Sequence, residues 1–475
     1  MSYERVLFVN PPSKAEWKGI RPHLGLGYLA QTLKEQGIHY EVIDMNFGYR
    51  LKHVLRKIED YKPQILGMTL ISLEYKKSYQ FLSTIKEFFP DLKIAVGGPH
   101  LTLLKEEVLK ECKAVDYGVI YEGEKTLIEL CQGNSPQRIK GIMFREDGDI
   151  FSTGNYEFEM DLDRIPWPRY DKFELSRYIP EIDIYSSRGC VFQCIFCPNR
   201  KISPVYRMRS AENVVDEIEY WSERGYRQFN FDDDNFNFSR QRVLRICDEI
   251  ERRGLRNLFL RCSNGLRADR IDREILIRMK EVGFKYIAFG VEGGNDKILA
   301  VLKKGETMEQ IEEAVRNAID LNYDVKLLFI VGGPYETRED IEDRVKFSLR
   351  YPVQDVHFYN IIPYPGTELF DWIKKNNYFL IQPGTYLNDI SCLDKIPVFE
   401  TPELREKERI EIFNYLERIR RKINKKAIQR FFGKKGFLGK IVSSIVLNSF
   451  TVKLFYGNFF IRKFIEKIRY KKALK

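Results

Sequence analysis

RGCVFQCIFCP (residues 188–198) is the segment on which the interpretation of this sequence depends. It places Cys190, Cys194 and Cys197 at CxxxCxxC spacing, directly after the strand-like run DIYSSRG. Three thiolates at this spacing can hold one iron-sulfur cluster from a single loop, and the adjacent glycine and proline suit the tight backbone that this requires. Because only three ligands come from the loop, one iron stays open for a small chelating molecule.

Other uses of these cysteines fit the sequence less well. A structural zinc site or a fully ligated electron-transfer cluster would need a fourth ligand, yet the other five cysteines are scattered and no histidine lies between His100 and His357. Eight cysteines in 475 residues are too few for a disulfide scaffold. The N-terminus also lacks an apolar stretch followed by a small-residue cleavage site, so we expect a cytoplasmic protein.

The cysteine segment opens a series of six strand-like runs between residues 183 and 366. Each run except the last precedes a segment with helical periodicity. This order predicts a partial (β/α)6 barrel, similar to a TIM barrel, whose chemistry lies at the carboxyl ends of its strands. We assign residues 176–395 to this domain.

The N-terminal part of the chain repeats the alternation with shorter runs. RVLFVN (5–10), HYEVID (39–44) and KIAVGG (93–98) read as strands, and GLGYLAQTLKEQG (25–37) reads as an amphipathic helix. The pattern predicts an α/β domain at residues 1–150 with a Rossmann-like, doubly wound parallel sheet and ligands at the strand carboxyl ends. Residues 151–175, rich in proline and acidic residues, are the expected linker, and residues 396–475 are expected to be helical and basic.

The barrel segment resembles the radical S-adenosylmethionine (SAM) superfamily, whose cluster motif carries an aromatic residue before its third cysteine. The resemblance implies a [4Fe-4S] cluster on Cys190, Cys194 and Cys197, with the open iron bound by the amino and carboxylate groups of SAM. FNFDDDNFNFS (229–239), YIAFGVEGG (286–294) and FIVGGPYET (329–337) resemble later signatures of the family. The implied SAM-binding residues are Phe196, Asp233, Asp234, Glu292 and Gly332. Gly293 departs from the pattern, because the family usually has serine there.

The N-terminal segment resembles the cobalamin-binding domain that precedes many radical SAM barrels. The motifs are NPP (10–12), LGLGYLA (24–30), VGGPH (96–100) and YEGEKTLIEL (121–130). The implied cobalamin-binding residues are Asn10, Pro11, Gly25, Ser72, Gly97, Gly98, His100, Glu122 and Gly123. No DxHxxG motif supplies a lower axial histidine, and a lone loop histidine such as His100 is more often a hydrogen-bonding or surface residue.

Together the two resemblances imply an enzyme that uses a [4Fe-4S] cluster, SAM and cobalamin, reduced by an electron donor such as flavodoxin or ferredoxin. The predicted reaction is methylation of an unactivated carbon of a small-molecule or lipid substrate. The deoxyadenosyl radical would remove hydrogen, and cobalamin would deliver the methyl group. Ring formation or rearrangement without methyl transfer is one alternative. A non-catalytic cobalamin or redox sensor is another, although no appended DNA-binding or signalling module is visible in the sequence.

Charge is concentrated at one end of the chain. The net charge is +10, but residues 425–475 hold 14 basic residues and one acidic residue, which leaves the rest at −3. Nucleic-acid binding by the body of the protein is therefore not predicted. Two interpretations of the tail stay open: association with anionic lipid at the inner face of the membrane, or amphipathic helices packed on the barrel.

Overall fold

The computed structural model describes residues 2–12, 20–154, 156–389 and 396–431. The basic tail from residue 432 onward, for which the membrane interpretation was made, lies outside the described residues, as does Cys392. Among the described residues, no helix is long and apolar enough to cross a membrane.

The first unit is an α/β domain with one seven-stranded sheet. Its strands are β1 (Arg5–Asn10), β2 (His39–Asp44), β3 (Ile65–Thr69), β4 (Lys93–Gly97), β5 (Tyr117–Val119), β6 (Ile142–Glu146) and β7 (Asp149–Ser152). Its helices are α1 (Leu24–Glu35), α2 (Leu51–Tyr61), α3 (Tyr75–Phe88), α4 (Pro99–Leu104), α5 (Glu106–Glu111) and α6 (Glu124–Cys131). The strand order is β2-β1-β3-β4-β5-β6-β7, and β1 to β5 are parallel.

Helices cover both faces of this sheet, as the apolar strands require. In β1, Val6 and Phe8 join one buried apolar cluster, and Leu7 and Val9 join another on the opposite face. The doubly wound prediction is therefore confirmed. The antiparallel strands β6 and β7 extend the sheet to Ser152, two residues past the boundary predicted at residue 150.

The described part of the segment predicted as a linker packs against both units. It contains two short 3-10 helices, Leu162–Arg164 and Leu175–Arg177. Ile165 and Tyr170 are buried, and the ring of Tyr170 lies against that of Trp221. The connection between the two units therefore has a defined path.

The second unit is the predicted partial barrel. Its strands are β8 (Glu181–Ile184), β9 (Ser187–Arg188), β10 (Arg207–Met208), β11 (Gln228–Phe231), β12 (Phe259–Leu266), β13 (Phe284–Glu292), β14 (Asp324–Val331) and β15 (Asp355–Asn360). Six of them form a parallel sheet in the order β8-β11-β12-β13-β14-β15, while β9 and β10 form a separate antiparallel pair.

Ten helices complete the described part of this unit. They are α7 (Asn199–Ile202), α8 (Ala211–Glu223), α9 (Arg240–Arg252), α10 (Arg273–Glu281), α11 (Asp296–Val301), α12 (Met308–Asp320), α13 (Arg338–Arg350), α14 (Glu368–Lys375), α15 (Pro383–Tyr386) and α16 (Glu406–Phe431). Phe229 and Phe231 of β11 point outward into the apolar cluster that these helices share with the sheet. The (β/α)6 prediction is confirmed.

Helix α16 is part of the barrel. Ile412, Phe413 and Leu416 pack with Val331 in a buried apolar cluster. Three arginines along the helix contact the last two strands or the residues next to them. Arg409 lies against Gly332 after β14, Arg420 contacts His357 of β15, and Arg430 donates to the carbonyls of Pro352 and Val353 before β15. For residues 406–431, packing on the barrel is thus the observed arrangement.

Candidate active site between the two sheets

The cysteine segment is a loop closed at its base by the β9–β10 pair. Gly189 has φ +86°, and a Cβ there would collide with the carbonyl of Val205. Asp233 lies under the start of the loop and accepts hydrogen bonds from the amides of Ser186 (2.6 Å) and Ser187 (2.8 Å). The hydrogen bonds to Asp233 and the close contact at Gly189 therefore fix the direction in which the loop leaves the sheet.

The three cysteines lie along this loop with free, half-buried thiols. Between them, the amide of Ile195 donates to Leu302 (3.2 Å) and its carbonyl accepts from Leu369 (3.0 Å). The amide of Cys197 donates to the carbonyl of Cys194 (3.1 Å), which forms the tight turn expected from the spacing. Contacts from two other segments of the barrel thus support the loop.

The surroundings of the thiols suit thiolates bound to positively charged metal. Burial raises the pKa of the Cys197 thiol to about 12 and raises those of Cys190 and Cys194, so a metal has to replace the proton. Lys304 and Arg267 lower the pKa of Cys190 and Cys194, in opposition to burial. Within the described residues, no three His, Cys, Asp or Glu side chains are placed to hold a single metal ion. In a cluster each thiolate binds a different iron, so this finding does not conflict with a cluster.

Glu292 ends β13 with a strained backbone. Its φ of +61° is uncommon for a residue with a side chain, and the ladder to β14 shifts register there. Burial raises the pKa of its carboxyl group, while Lys304, 3.4 Å away, opposes that change. The carboxylate folds back over Gly290, where a Cβ would meet it. Such strain is common at functional sites, which agrees with the prediction that Glu292 contacts a ligand.

Gly332 begins the turn after β14. The amides of Gly332 and Gly333 donate to the buried carboxylate of Glu336, which also pairs with Arg344. A Cβ on Gly332 would occupy the position of the Arg409 guanidinium. The position therefore requires glycine because α16 lies directly against the turn.

The acidic run after β11 divides into three different environments. Asp233 accepts hydrogen bonds from the backbone at the start of the cysteine loop. Asp234 accepts a hydrogen bond from the side chain of Asn199 (2.6 Å), which directly follows that loop. Burial and then Asp233 raise the pKa of Asp234 to about 6. Asp232 points into the barrel. Phe196, also a predicted SAM contact, packs at the edge of a buried apolar cluster.

The predicted cobalamin residues gather at one edge of the first sheet. Asn10 and Pro11 end β1, Ser72 follows β3, Gly97 and Gly98 end β4, and Glu122 and Gly123 follow β5. Gly98 has φ +92°, and its missing Cβ would lie 2.6 Å from a methyl group of Thr69. Gly25 is exposed near the start of α1. The carboxyl ends of neighbouring parallel strands thus bring together residues that are far apart in sequence.

His100 is fully buried, with both ring nitrogens in hydrogen bonds. Nε2 lies 2.9 Å from the Tyr79 hydroxyl and Nδ1 lies 3.2 Å from the Ser72 hydroxyl, while Tyr75 stacks on the ring. Burial lowers the pKa of His100 to about 4, so the ring is neutral. This arrangement matches the hydrogen-bonding interpretation of a lone histidine, and it links the segments that follow β3 and β4.

A buried ion-pair network joins this edge to the cysteine loop. Arg207 of β10 binds Glu122 with both terminal nitrogens, and Arg188 of β9 reaches Glu122 (3.2 Å) and Glu124 (2.8 Å). Burial alone would raise the pKa of Glu122, but Arg188 and Arg207 together lower it. Helix α4, after β4, also packs against α7, after Cys197. The carboxylate of Glu122, predicted to bind cobalamin, is thus engaged between the two units.

A second contact joins the two units inside the barrel. Arg21, which precedes α1, places Nη1 2.8 Å from Glu181 and 2.8 Å from Asp183 of β8. The edge of the first sheet and the interior of the second therefore face each other, with the cysteine loop between them.

Comparison with known proteins agrees with these two units. Residues 14–131 match the B12 binding domain, and residues 184–348 match the Radical SAM superfamily. The chain therefore combines a B12-binding domain with a radical SAM domain. Its two domains imply a [4Fe-4S] cluster with SAM in the barrel and cobalamin at the first sheet.

Similar proteins have more than one activity in their names. An uncharacterized methyltransferase of Pyrococcus horikoshii is 28% identical over 85% of this chain and 90% of its own length. An anaerobic magnesium-protoporphyrin IX monomethyl ester cyclase of Cereibacter sphaeroides is also 28% identical, over 78% of this chain and 64% of its own length. The radical SAM methyltransferase TsrM of Kitasatospora setae shares the fold, with a TM-score of 0.69 and 21% identity over 78% of this chain and 76% of its own.

Sequence reasoning missed the charged residues that join the two domains and line the barrel. Arg21 lies in a loop without a motif, and nothing local indicates that it enters another domain. Glu181 and Asp183 gave a clearer signal, because EIDI alternates charged and apolar residues in a strand next to the cysteine segment. That pattern is typical of a strand with one polar face.

Proposed function

We propose that this cobalamin-dependent radical SAM enzyme methylates an unactivated carbon of a small molecule. When bound, the cluster and SAM supply a deoxyadenosyl radical, and cobalamin supplies the methyl group. Cys190, Cys194 and Cys197 hold the cluster, and flavodoxin or ferredoxin supplies the electron. The residues at the carboxyl ends of β1, β3, β4 and β5 hold cobalamin.

One observation carries the proposal: the strand ends of the B12-binding domain abut the cysteine loop. Methyl delivery to a carbon radical needs both cofactors at one substrate, and effective reaction requires reacting atoms within a few ångströms of each other. The pairs from Glu122 and Glu124 to Arg188 and Arg207 hold the two cofactor-binding edges together. They also exclude water from that side, which protects a reactive intermediate.

Individual residues have separate proposed roles around this site. Glu292 and the turn at Gly332 contact SAM, Asp234 supports the loop beside it, and Lys304 balances the negative charge of the thiolates. Asp233 acts through the backbone of Ser186 and Ser187 and is a positioning residue. Ser72, oriented by His100, offers its hydroxyl at the cobalamin edge.

The test is product stoichiometry with isotopically labelled SAM. Anaerobically reconstituted protein with SAM, reductant, cobalamin and substrate should form 5′-deoxyadenosine and S-adenosylhomocysteine together, and the labelled methyl group should enter the product. Hydrogen abstraction consumes one SAM and remethylation of cobalt consumes another. Sustained turnover without label in the product would refute methyl transfer.

Ring formation is the second candidate, supported by the similarity to the cyclase of Cereibacter sphaeroides. It would yield 5′-deoxyadenosine without S-adenosylhomocysteine. The same assay therefore separates the two reactions in one measurement.

A further inference from the structure

The inner face of the barrel is charged along three adjacent strands. Asp183 of β8 accepts from Asn230 of β11 (2.8 Å), whose carbonyl oxygen accepts from Ser263 of β12 (2.6 Å). Lower in the barrel, Arg261 of β12 donates to Glu181 of β8 (2.7 Å). These hydrogen bonds across neighbouring strands show that the side chains share the concave face, which we call the charged wall.

The opposite side of the same interior is apolar and aromatic above Lys326 of β14. Tyr286 of β13, Leu328 of β14 and Tyr359 of β15 point inward, and Tyr359 is 44% exposed. Leu328 reaches toward Gly265 of β12, where a Cβ would lie 3.8 Å from it. We call these three residues the apolar wall. The interior of the barrel is therefore amphipathic, and we call the space between its two walls the chamber.

Asp232 stands at the top of the charged wall. It follows β11 and lies two residues after Asn230, so strand alternation aims its side chain at the chamber. The hydrogen bonding between β11 and β8 continues to Asp232, because its amide donates to the carbonyl of Ile184 (3.0 Å). Within the described residues, its half-buried carboxyl group has no hydrogen-bond or ion-pair partner. A partly buried acid without a partner gains a favourable interaction when a ligand supplies one.

The charges around Asp232 favour a cation. Arg21 is already shared between Glu181 and Asp183. The groups that face Asp232 are Asp183 of β8, Tyr185 directly after that strand, Arg21, and the neighbouring Asp233 and Asp234. Carboxylates outnumber cations in this set, so the local field attracts positive charge.

We propose that the chamber binds a small amine, with the ammonium group on Asp232 and an apolar body against Leu328 and Tyr359. The proposal rests on the proposed function only in taking the chamber as the substrate site. It narrows the predicted substrate from a small molecule or lipid to an amphipathic cation. A lipid acyl chain in the chamber would leave the ionised side chains of the charged wall desolvated and without a polar partner.

The proposal has a pH signature. Burial, followed by Asp183, raises the pKa of Asp232 to about 7, while Arg21 opposes them. An ammonium ligand favours the ionised acid, so amine affinity should rise as pH increases from 6 to 8. Phenethylamine keeps its charge over this range, so the change reports on the protein.

The experiment uses three probes with the same aromatic body on the full-length, cluster-reconstituted protein. Phenethylamine is cationic, 2-phenylethanol is neutral and 3-phenylpropionate is anionic. Ligand-observed NMR titration at pH 8 should give a dissociation constant for phenethylamine about tenfold below those of the other two, as expected for a charge-assisted hydrogen bond. Equal affinities, or a preference for the anion, would overturn the proposal without any variant.

Variants then assign the two walls. Asp232→Asn should weaken phenethylamine about tenfold, remove its pH dependence and leave SAM affinity nearly unchanged, while Asp91→Asn, at an exposed position, changes neither. A parallel loss of SAM affinity in Asp232→Asn would assign Asp232 to SAM and overturn the proposal. Leu328→Asn should weaken both phenethylamine and 2-phenylethanol; unchanged binding of both would remove the apolar wall from the site.

The same preparations separate this inference from the proposed function. Amine binding with failed methyl transfer would contradict the reaction but keep the chamber. Methyl transfer to a substrate without an amine, by a protein that does not bind phenethylamine, would contradict amine binding in the chamber but support the proposed reaction.

Discussion

The two sheets of this protein are built by the same alternation of strand and helix, but the first buries apolar residues on both faces and the second has charged residues on one face. The first sheet has helices on both faces, and β1 buries apolar side chains on each. The second sheet curves on itself, so its helices cover only the outside. Its concave face carries ionised residues such as Glu181 and Arg261.

The difference shows what curvature does to a parallel sheet. A flat sheet between two helical layers has few positions for polar residues in the middle of its central strands, because both faces are desolvated. A curved, open sheet keeps one face for a ligand, and each inward position can carry chemistry. The first sheet therefore binds its ligand only at an edge, while the second offers an edge and an interior.

The largest contrast is between cysteines that hold a cluster and cysteines that fill a core. Cys194→Ala should lower iron and sulfide content and reduce formation of 5′-deoxyadenosine by at least about a hundredfold, because loss of a direct ligand exceeds the effect of losing a supporting contact. Cys112→Ala, in the core of the first unit, should retain both. Full iron and sulfide content in Cys194→Ala would contradict the cluster assignment.

The next contrast compares a sealed core with a chamber wall. Phe8→Ala, in the first sheet, should lower the free energy of unfolding by about 3–5 kcal/mol. Tyr359→Ala removes a larger side chain from the second sheet but should cost less, about 1 kcal/mol, because Tyr359 is 44% exposed. Urea denaturation measures both, and equal losses would show that the chamber is packed as a core.

A smaller effect is the pH dependence of stability that the buried His100 gives to the first unit. His100 is neutral when folded, with a pKa of about 4 against 6.5 for the free side chain. The unfolded chain therefore binds a proton first, and stability should fall by up to about 3 kcal/mol as pH drops from 6.5 to 4. His100→Gln should remove this part of the slope.

Tyr79→Phe is the matched control for that measurement. It deletes the hydrogen bond to Nε2 but leaves the ring buried, and burial is the cause of the lowered pKa. The slope should therefore persist in denaturation curves recorded between pH 4 and 7. Its loss in Tyr79→Phe would show that hydrogen bonding, rather than desolvation, keeps His100 neutral.

The smallest effect on either sheet is expected from removal of the basic tail. A chain ending at Phe431 keeps Arg409, Arg420 and Arg430, so the thermal midpoint should change by no more than about 2 °C. Sedimentation with anionic liposomes should weaken if residues 432–475 bind lipid, and salt should weaken binding of the intact chain in the same way. Liposome binding that is unaffected by truncation would contradict the lipid interpretation.

The sequence alone determined the fold class and the order of the domains, and it predicted the cluster ligands. Apolar runs alternating with helical periodicity require parallel sheets, because each helix carries the chain back to the same edge. Cys190, Cys194 and Cys197 could be assigned because they lie within eight residues of one loop. Gly98 was also informative, since a glycine after an apolar strand marks a close approach of the backbone.

Only the tertiary structure decided which polar residues meet. Glu122 was predicted to bind cobalamin, but its carboxylate accepts a hydrogen bond from Arg207, 85 residues away in the chain. The edge of the first sheet and the β9–β10 pair meet at this point. The three aspartates at 232–234 have one local pattern but three environments, since alternation and a turn send each in a different direction. Arg21 enters a barrel that begins 160 residues later. Such contacts depend on how whole sheets pack, and no spacing within the chain encodes that distance.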